Sequence, residues 1–443
     1  MKLLKNLFLN NLFFFCLGGI ILLFVTAFIF PILYHLVWII FIGLLTFLLL
    51  DILILFYFKD GIQASRITPE KLSNGDENEI VINIKNKYSF TVLLKIIDEI
   101  PFQFQNRNFE ISRKIKTSAS DQFHYTVRPT ARGEYYFGNL NIYVNSPLQL
   151  VSRRFTFDGN KMTPTYPSYI QLRKYDLIAF SNHLSQYGIK KIRRIGHTME
   201  FEQIKEYVAG DDIRTLNWKA TAKKNSLMIN QFQDEKSQSV YMVIDKGRVM
   251  KMPFNGLSLL DYAINATLVL SNVILKKHDK AGMFAFSKKV ENRVVAEKRG
   301  SQMQQILETL YNIKTDYFES DFSRLYVDIK KNINQRSLLI LYTNFETLDG
   351  LHRQLKYLKA IAKNHLLVVV FFNNTELNDL ILKKSETIQE VYDKVIAEKF
   401  AFEKRLIVNE LKKYGIHTLL TQPENLSLDS INKYLEIKAR SLL

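Results

Sequence analysis

The chain has 443 residues, of which 47% are hydrophobic, and a formal net charge of +17 at pH 7. This length suffices for two or three domains, and the basic charge favours an anionic membrane surface or plain solubility over nucleic acid, because no recognition-helix or RNA-binding motif is visible. The single cysteine, Cys16, excludes internal disulfides, and it excludes a cysteine nucleophile or cysteine-based zinc site from the soluble part.

Two apolar runs open the chain, at residues 12–30 and 36–58, and each is long enough to cross a bilayer as a helix. Pro31 lies in the short break between them, so residues 1–60 are predicted to form a transmembrane hairpin. Basic residues flank both outer ends, which predicts that both ends lie in the cytoplasm. A cleaved signal peptide is the alternative, but a second apolar run follows at once and no clear cleavage site is present.

One carboxylate, Asp51, lies near the end of the second apolar run. An acidic side chain in a membrane segment is either a functional group or one that reaches the polar interface from a helix end. The position of Asp51 favours the second interpretation.

Residues 61–168 change to the two-residue period of strands. Apolar and β-branched residues recur at strand spacing in segments such as 79–84 and 92–97, and turn residues such as Gly75 and Gly133 separate the segments. Short strands with turns between them predict a β-sandwich-like domain. Such a domain could bind through its loops or act as a spacer, and the sequence does not choose between the two.

Residues 169–235 are predicted to be a polar linker. It includes a basic cluster at 190–194, which could contact phosphate or lipid, although a solvated charge run is the more ordinary interpretation. It also includes Trp218, one of only two tryptophans in the chain, which we expect to pack as an anchor between domains.

A Gly-Asp-Asp segment lies within this linker, at Gly210, Asp211 and Asp212. We predict a short helix over residues 213–224, with one of the two aspartates as its N-cap, because a carboxylate can accept the exposed first-turn N–H groups. Paired aspartates can also bind metal or perform acid–base chemistry. Adjacent residues at a helix start seldom converge on one ion, so capping is the favoured role.

Residues 236–443 alternate strand and helix patterns. Near-continuous apolar strands, such as 240–245 and 337–343, are separated by amphipathic helical segments. This pattern predicts an α/β domain with a mainly parallel sheet covered on both faces. Functional loops in such folds follow the carboxyl ends of the strands, which is where Asp245 and Asn344 are placed.

The most specific pattern in the chain is a set of residues at fixed spacing: Glu206, Tyr207, Gly210, Asp211, Asp212, Arg214, Asn217, Trp218, Thr221 and Ala222. With this set the chain resembles the bacterial domain-of-unknown-function family numbered fifty-eight. The resemblance covers nearly all of the chain and implies a membrane hairpin, a β domain and a von Willebrand factor A-like, Rossmann-type α/β domain. It also implies a protein partner, a MoxR-type AAA ATPase, at the bacterial cytoplasmic (inner) membrane.

Von Willebrand A domains commonly bind magnesium through Asp-x-Ser-x-Ser together with a threonine and an aspartate from other loops, since oxygen ligands suit this hard cation. The corresponding segment here begins with Asp245, but Gly247 and Val249 replace both serines, and Asn344 stands where the second aspartate is expected. The intervening residues at 246 and 248 are basic. We therefore predict a degenerate metal site, without bound metal or cofactor.

No catalytic constellation is apparent, because the eight histidines lack metal-ligand spacing and the sequence contains no nucleophile elbow or phosphate loop. The leading hypothesis is a non-enzymatic, membrane-tethered adaptor or scaffold whose cytoplasmic A-like domain binds protein. The expected partner is the MoxR-type ATPase, in chaperone-like assembly of envelope complexes. One alternative is a hydrolase or transferase that uses Asp211, Asp212 and Asp245. Another is binding of lipid or a polyanion by the basic surface.

Overall fold

The computed structural model describes residues 5–106, 109–157, 159–172, 201–208, 216–224, 226–232, 237–440 and 442. The chain forms two compact units, Met1–Tyr166 and Pro167–Leu443. The basic cluster at 190–194 and four residues of the central motif lie outside the described residues; these four are Gly210, Asp211, Asp212 and Arg214.

Two long apolar helices lie near the amino end of the first unit. Helix α1 spans Asn11–Ile29, a short 3₁₀ turn spans Pro31–Leu33, and α2 spans Tyr34–Tyr57. Their mean hydropathies of 2.8 and 2.9 and their lengths are sufficient to cross a membrane. The first unit therefore has the two predicted helices that are long and apolar enough to span a membrane, with Pro31 at the break between them.

The rest of the first unit is rich in strands. In chain order they are β1 (Leu7–Leu9), β2 (Ile62–Ile67), β3 (Leu72–Ser73), β4 (Asn78–Asn86), β5 (Val92–Asp98), β6 (Glu110–Ile115), β7 (Ser120–Val127), β8 (Gly133–Phe137), β9 (Leu140–Asn145), β10 (Val151–Phe157) and β11 (Lys161–Tyr166). Three sheets result, with the orders β1-β10-β9-β5-β6, β2-β4-β7 and β3-β11-β8. Alternation of buried and exposed positions along β4 and β5 explains why these segments form strands with one face in a shared core.

Strand β1 precedes the first membrane helix, yet it pairs antiparallel with β10, with Leu7 opposite Arg153 and Leu9 opposite Val151. This strand is not among those that the sequence pattern predicts. Because β1 and β2 both belong to the first unit, the chain enters and leaves the membrane hairpin from the same folded domain.

Asp51 joins α2 to the loop between β9 and β10. Its Oδ2 accepts hydrogen bonds from the Ser146 hydroxyl and from the N–H groups of Leu150 and Val151, the latter two at 3.2 Å. The side chain is 0% exposed. Asp51 thus reaches polar groups of the β region, which provides buried hydrogen-bond donors beside the helix.

Arg153 closes the carboxyl end of α2. Its guanidinium donates to the carbonyls of Leu55 and Phe58 at 2.8 and 2.6 Å and to the carbonyl of Lys59 at 2.8 Å. These contacts satisfy carbonyls that the end of a helix leaves without intrahelical partners. The membrane hairpin and the β region thus form one packed structure.

A small antiparallel pair begins the described part of the second unit after residue 200. Strand β12 (Phe201–Glu206) pairs with β13 (Met228–Phe232), and helix α3 (Trp218–Lys224) lies between them in sequence.

The α/β domain follows. Its elements are β14 (Ser239–Asp245), the short pair β15 (Pro253–Phe254) and β16 (Leu257–Ser258), α4 (Leu259–Lys276), β17 (Lys280–Phe286), β18 (Val290–Glu297), α5 (Gln302–Tyr311), α6 (Phe322–Asn332), β19 (Leu338–Tyr342), α7 (Leu348–Asn364), β20 (Leu366–Phe372), α8 (Thr375–Leu382), α9 (Ile388–Lys413), β21 (His417–Thr421) and α10 (Leu426–Ala439). The six-stranded sheet has the order β18-β17-β14-β19-β20-β21. Only β18, at the edge of this sheet, pairs antiparallel, so the sheet is mixed and mainly parallel.

Helix α4 explains how the sheet is covered on one face. It is long and apolar enough to cross a membrane, with mean hydropathy 1.3, but most of it is buried inside the α/β domain. Its start is fixed by a capping box in which the Ser258 hydroxyl accepts from the Asp261 N–H at 3.2 Å. Burial on nearly all sides accounts for its continuous apolar character.

Candidate functional site

The candidate site lies at the carboxyl edge of the sheet, between β14 and β19. When only the strands of the six-stranded sheet are counted along the chain, their order is 3-2-1-4-5-6, so the direction of winding reverses between β14 and β19. Open α/β sheets bind ligands in the crevice at such a switch point. Asp245 ends one of the two strands, and Thr343 and Asn344 directly follow the other.

Asp245 is 0% exposed, and both of its carboxylate oxygens accept hydrogen bonds. The Thr343 hydroxyl donates to Oδ2 at 2.7 Å, and the Gly247 N–H donates to Oδ1 at 2.9 Å. The Ser320 hydroxyl also donates to Oδ1. Burial raises the pKa of Asp245, and the three donors oppose this effect.

Gly247 is required here for space. A Cβ at this position would lie 2.1 Å from the Ser320 Oγ and 2.9 Å from the Phe318 carbonyl oxygen. The serine expected at 247 in a metal-binding segment would therefore collide with Ser320. The Ser320 hydroxyl, from the loop that precedes α6, thus takes the position that a serine side chain at 247 would need.

The side chains of Lys246 and Arg248, the two basic residues after Asp245, lie in different environments. Lys246 is 5% exposed, and its ammonium pairs with Glu291 at 2.6 Å and with Asp316 at 3.4 Å. Arg248 is exposed at the rim of a cavity of about 140 Å³ that Asp245 also lines. The Lys246 ammonium therefore does not take the place of a cation beside Asp245, because Glu291 and Asp316 hold it.

Asn344 does not join the hydrogen bonds around Asp245. Its Oδ1 accepts from the Nζ of Lys404, on α9, at 2.6 Å, and the same ammonium donates to the Phe345 carbonyl at 2.6 Å. Burial lowers the pKa of Lys404 to about 8, although the nearby Glu346 acts in the opposite direction. A second cavity, of about 280 Å³, is lined by Asn344 and Lys404.

The donor set around Asp245 does not fit a divalent cation. Position 247 offers no side-chain oxygen, Val249 packs against the apolar core, and Asn344 faces Lys404. No group of three or more histidine, cysteine or acidic side chains suited to a metal occurs among the described residues. The absence of metal stays a prediction, and the geometry is that of a closed hydrogen-bonded carboxylate.

The described residues of the central motif connect β12, β13 and α3. The Glu206 carboxylate accepts from the Ser226 hydroxyl at 3.3 Å, and the Tyr207 N–H donates to the Leu227 carbonyl at 2.7 Å. The Thr221 hydroxyl accepts from the Met228 N–H at 3.0 Å. These contacts give the motif a structural role in the described part of the chain.

Two expectations for this segment are wrong. Helix α3 begins at Trp218. The Asn217 side chain caps it by accepting a hydrogen bond from the Ala220 N–H at 3.0 Å. Leu216 is not helical, because it forms an isolated β-bridge with Ile229. The N-cap is thus an asparagine close to the first turn and not one of the aspartates. Trp218 is 71% exposed, so it is not a buried anchor.

Sequence reasoning missed two side chains of the site, Ser320 and Lys404. Ser320 lies 75 positions from Asp245, in a polar loop without a motif. Lys404 is one of several lysines of a long charged helix. The only sequence signal for Lys404 is its position shortly after the apolar stretch Phe400-Ala401-Phe402.

Comparison with known proteins places part of the chain in a family context. Residues 203–380 match the family described as "Protein of unknown function DUF58". The chain is 22% identical over 272 residues to "Uncharacterized protein YeaD" of Bacillus subtilis (strain 168), a match that covers 60% of this chain and 65% of that protein. The chain thus spans less than two thirds of the length of that relative.

Similarity to solved structures is low. A PapD-like domain of human CEP192 matches with a TM-score of 0.18 and 14% identity over 23% of this chain and 86% of that one. Proximal thread matrix protein 1 from the mussel byssus matches with a TM-score of 0.25 and 11% identity over 44% and 46% of the two chains. The family match over residues 203–380 alone shows what the chain is similar to: the DUF58 family.

Proposed function

We propose that the protein is a non-enzymatic, membrane-tethered adaptor that docks a protein partner at the carboxyl edge of its α/β sheet. The observation that carries this proposal is the arrangement around Asp245. Three hydrogen-bond donors from three separate positions contact its carboxylate. The carboxylate is therefore a fixed polar group and is not free to act as a nucleophile or base. A rigid edge with a mixed-charge rim suits recognition of another protein.

The rim of this edge has the side chains that docking requires. Arg248 and Arg353 are exposed beside the Asp245 cavity, and the Arg353 guanidinium lies 3.9 Å from the Glu319 carboxylate. Exposed arginines can form bidentate contacts with carboxylates of a partner. Hydroxyl groups and an aspartate at a strand end are also what a von Willebrand A-like domain would present, and we propose that relationship for this domain.

We place the soluble parts of the protein on the cytoplasmic face of the bacterial inner membrane. Basic residues flank both outer ends of the hairpin, and β1 and β2 belong to one folded unit, which supports an even number of crossings. A net charge of +17 further favours the anionic inner leaflet. The partner that the family resemblance implies is a MoxR-type AAA ATPase, which would supply energy while this protein supplies location.

The experiment is co-purification of the ATPase with the full-length protein from membranes. Arg248→Glu and Arg353→Glu reverse charges at the rim, and each is expected to reduce the recovered ATPase at least fivefold. Lys331→Glu is the matched control, because Lys331 is exposed at the end of α6, just before β19 begins at the opposite edge of the sheet. Equal recovery in all three variants would refute docking at this edge.

The alternative, a hydrolase or transferase based on the Gly-Asp-Asp segment, stays a prediction. Asp211 and Asp212 lie outside the described residues, and Asp245 is closed by its hydrogen bonds. No contact in the described part of the chain favours that activity over docking.

A further inference from the structure

The larger cavity at the carboxyl edge has an apolar body. Its volume is about 280 Å³, and its walls include Phe254, Leu259, Phe372, Leu377 and Phe400. These side chains come from β15, α4, β20, α8 and α9, so the cavity is formed by five elements of the α/β domain. A concave apolar site with a few polar groups is the usual form of a small-ligand pocket.

One end of this pocket is charged. The Lys404 ammonium donates hydrogen bonds to the Asn344 side-chain carbonyl and to the Phe345 backbone carbonyl, both at 2.6 Å. Both acceptors are neutral. No carboxylate of the described residues lies within ion-pair distance of the Lys404 ammonium. Glu346 also lines the pocket, and its negative charge acts to raise the pKa of Lys404, but Glu346 is exposed to solvent. The pocket therefore ends at an ammonium that forms no direct ion pair in the described part of the chain.

Such an arrangement is costly for the protein alone. A charge removed from water is stable only when it is paired or fully hydrogen bonded, and burial here lowers the pKa of Lys404 to about 8. An ammonium has three N–H donors, of which two are used. One donor and one positive charge remain for a group that enters the pocket.

We propose that this pocket binds an amphipathic carboxylate, with its aliphatic or aromatic body between Phe254, Leu377 and Phe400 and its carboxylate at the Nζ of Lys404. A single remaining donor and a single charge suit a monoanionic carboxylate better than a phosphate. This chemistry is shared by a free fatty acid and by an acidic residue beside an apolar one in a docked protein. The proposal goes beyond the adaptor function and does not depend on which partner the adaptor binds.

The test uses 3-phenylpropionate and its uncharged analogue 3-phenylpropionamide with the full-length protein in lipid nanodiscs. Binding is measured by saturation-transfer NMR. The carboxylate is expected to bind the wild-type protein at least tenfold more tightly than the amide. This comparison requires no substitution, so it stands even if a variant folds poorly. Equal binding of the carboxylate and the amide would overturn the proposal.

Substitutions then assign the contact. Lys404→Met is expected to reduce the affinity for 3-phenylpropionate at least tenfold, whereas Lys399→Met, which removes an exposed charge from the same helix outside the pocket, leaves it unchanged. If Lys404→Met bound the carboxylate as well as the wild type did, the assignment would be wrong.

The natural source of the carboxylate is distinguished by two further measurements on the same variants. Native mass spectrometry of protein extracted from membranes reveals a fatty acid bound to the wild type and absent from Lys404→Met if the source is a free lipid acid. Weaker co-purification of the partner with Lys404→Met, but not with Lys399→Met, indicates an acidic residue of the docked protein. If the protein did not retain the partner but still bound 3-phenylpropionate, the adaptor function would be contradicted and the pocket proposal would not.

Discussion

The hydroxyl of Ser320 occupies the space that any side chain at Gly247 would need. An added Cβ would lie 2.1 Å from the Ser320 Oγ, and that hydroxyl donates to the carboxylate of Asp245. The two positions are thus coupled: a glycine in one loop permits a serine of another loop to reach the buried carboxylate. The candidate site consequently depends on a loop distant in sequence.

Gly247→Ser is expected to destabilise the region around β14 by about 1–3 kcal/mol, because it forces a side chain into occupied space. Ser320→Ala in the same chain should restore part of the loss, although the Phe318 carbonyl oxygen, 2.9 Å from the added Cβ, prevents full recovery. Hydrogen-exchange mass spectrometry of the β14 peptide measures the local opening free energy. Gly300→Ser is the control, since its Cβ meets nothing within 4 Å. Additive effects of the two substitutions would contradict the coupling.

Asp245→Asn is expected to cost about 1–3 kcal/mol at β14, because an amide N–H₂ would face groups that themselves donate hydrogen bonds. The stability of the wild-type protein also depends on pH through Asp245. Burial raises the pKa of Asp245 above its ordinary value of 3.8, so the folded state holds the proton more firmly and its relative stability falls as pH rises through the raised pKa. The difference between wild type and Asp245→Asn at β14 should therefore fall as the pH is raised above the ordinary carboxyl range. A difference that does not fall with rising pH would contradict a raised pKa of Asp245.

Lys404 is expected to react with acylating reagents at a lower pH than other lysines. Its pKa is lowered to about 8, so above that pH the free amine predominates, whereas an ordinary lysine remains protonated. Labelling with acetic anhydride from pH 7 to 9.5, followed by peptide mass spectrometry, gives the pH profile of each lysine. Lys399, exposed on the same helix, is the internal control. Identical profiles for the two lysines would contradict the effect of burial.

Arg153→Ala is expected to loosen the end of α2. The substitution removes three hydrogen bonds to backbone carbonyls and the stacking of the guanidinium on the Phe56 and Phe155 rings. Faster hydrogen exchange around residues 55–62, together with a lower melting temperature in detergent, measures the effect. Lys114→Ala, at an exposed position of β6, should change neither quantity. Unchanged exchange in Arg153→Ala would show that the hairpin and the β region are held together by other contacts.

The proposed membrane orientation is tested with single cysteines in a Cys16→Ser background. Ile32→Cys lies in the turn between the membrane helices, where Ile32 is 89% exposed, and it should react with an impermeant maleimide added to intact spheroplasts. Lys331→Cys should react only after the membrane is permeabilised. The reverse pattern would place the α/β domain outside the cytoplasm.

The membrane hairpin and the parallel strands could be predicted from the sequence because each has a local signal. The length of an apolar run reports a membrane helix, and β14 and β19 are short, nearly continuous apolar runs between amphipathic helices. Position 245 could likewise be placed at a strand end, since a polar residue closes the apolar run. Local patterns are sufficient for such features.

Contacts between distant segments had no comparable signal. Ser320 meets Asp245, and Ser146 meets Asp51, only because strands and helices bring separate loops together. The sequence predicts a start of α3 at residue 213 instead of 218 for a different reason. Asp211 and Asp212 are good N-cap residues by type, but Asn217 is equally suited and lies directly before the helix. Capping preference identifies candidates, and tertiary structure selects among them.

The pairing of β1 with β10 sets the order of events during biosynthesis. The amino-terminal strand leaves the ribosome before both membrane helices, but its partner follows only after strands β2 to β9 have been made. Strand β1 therefore stays unpaired until β10 has been made, and the five-stranded sheet is completed with a segment that precedes both membrane helices. A bulky fusion ahead of β1 would interfere with this pairing step.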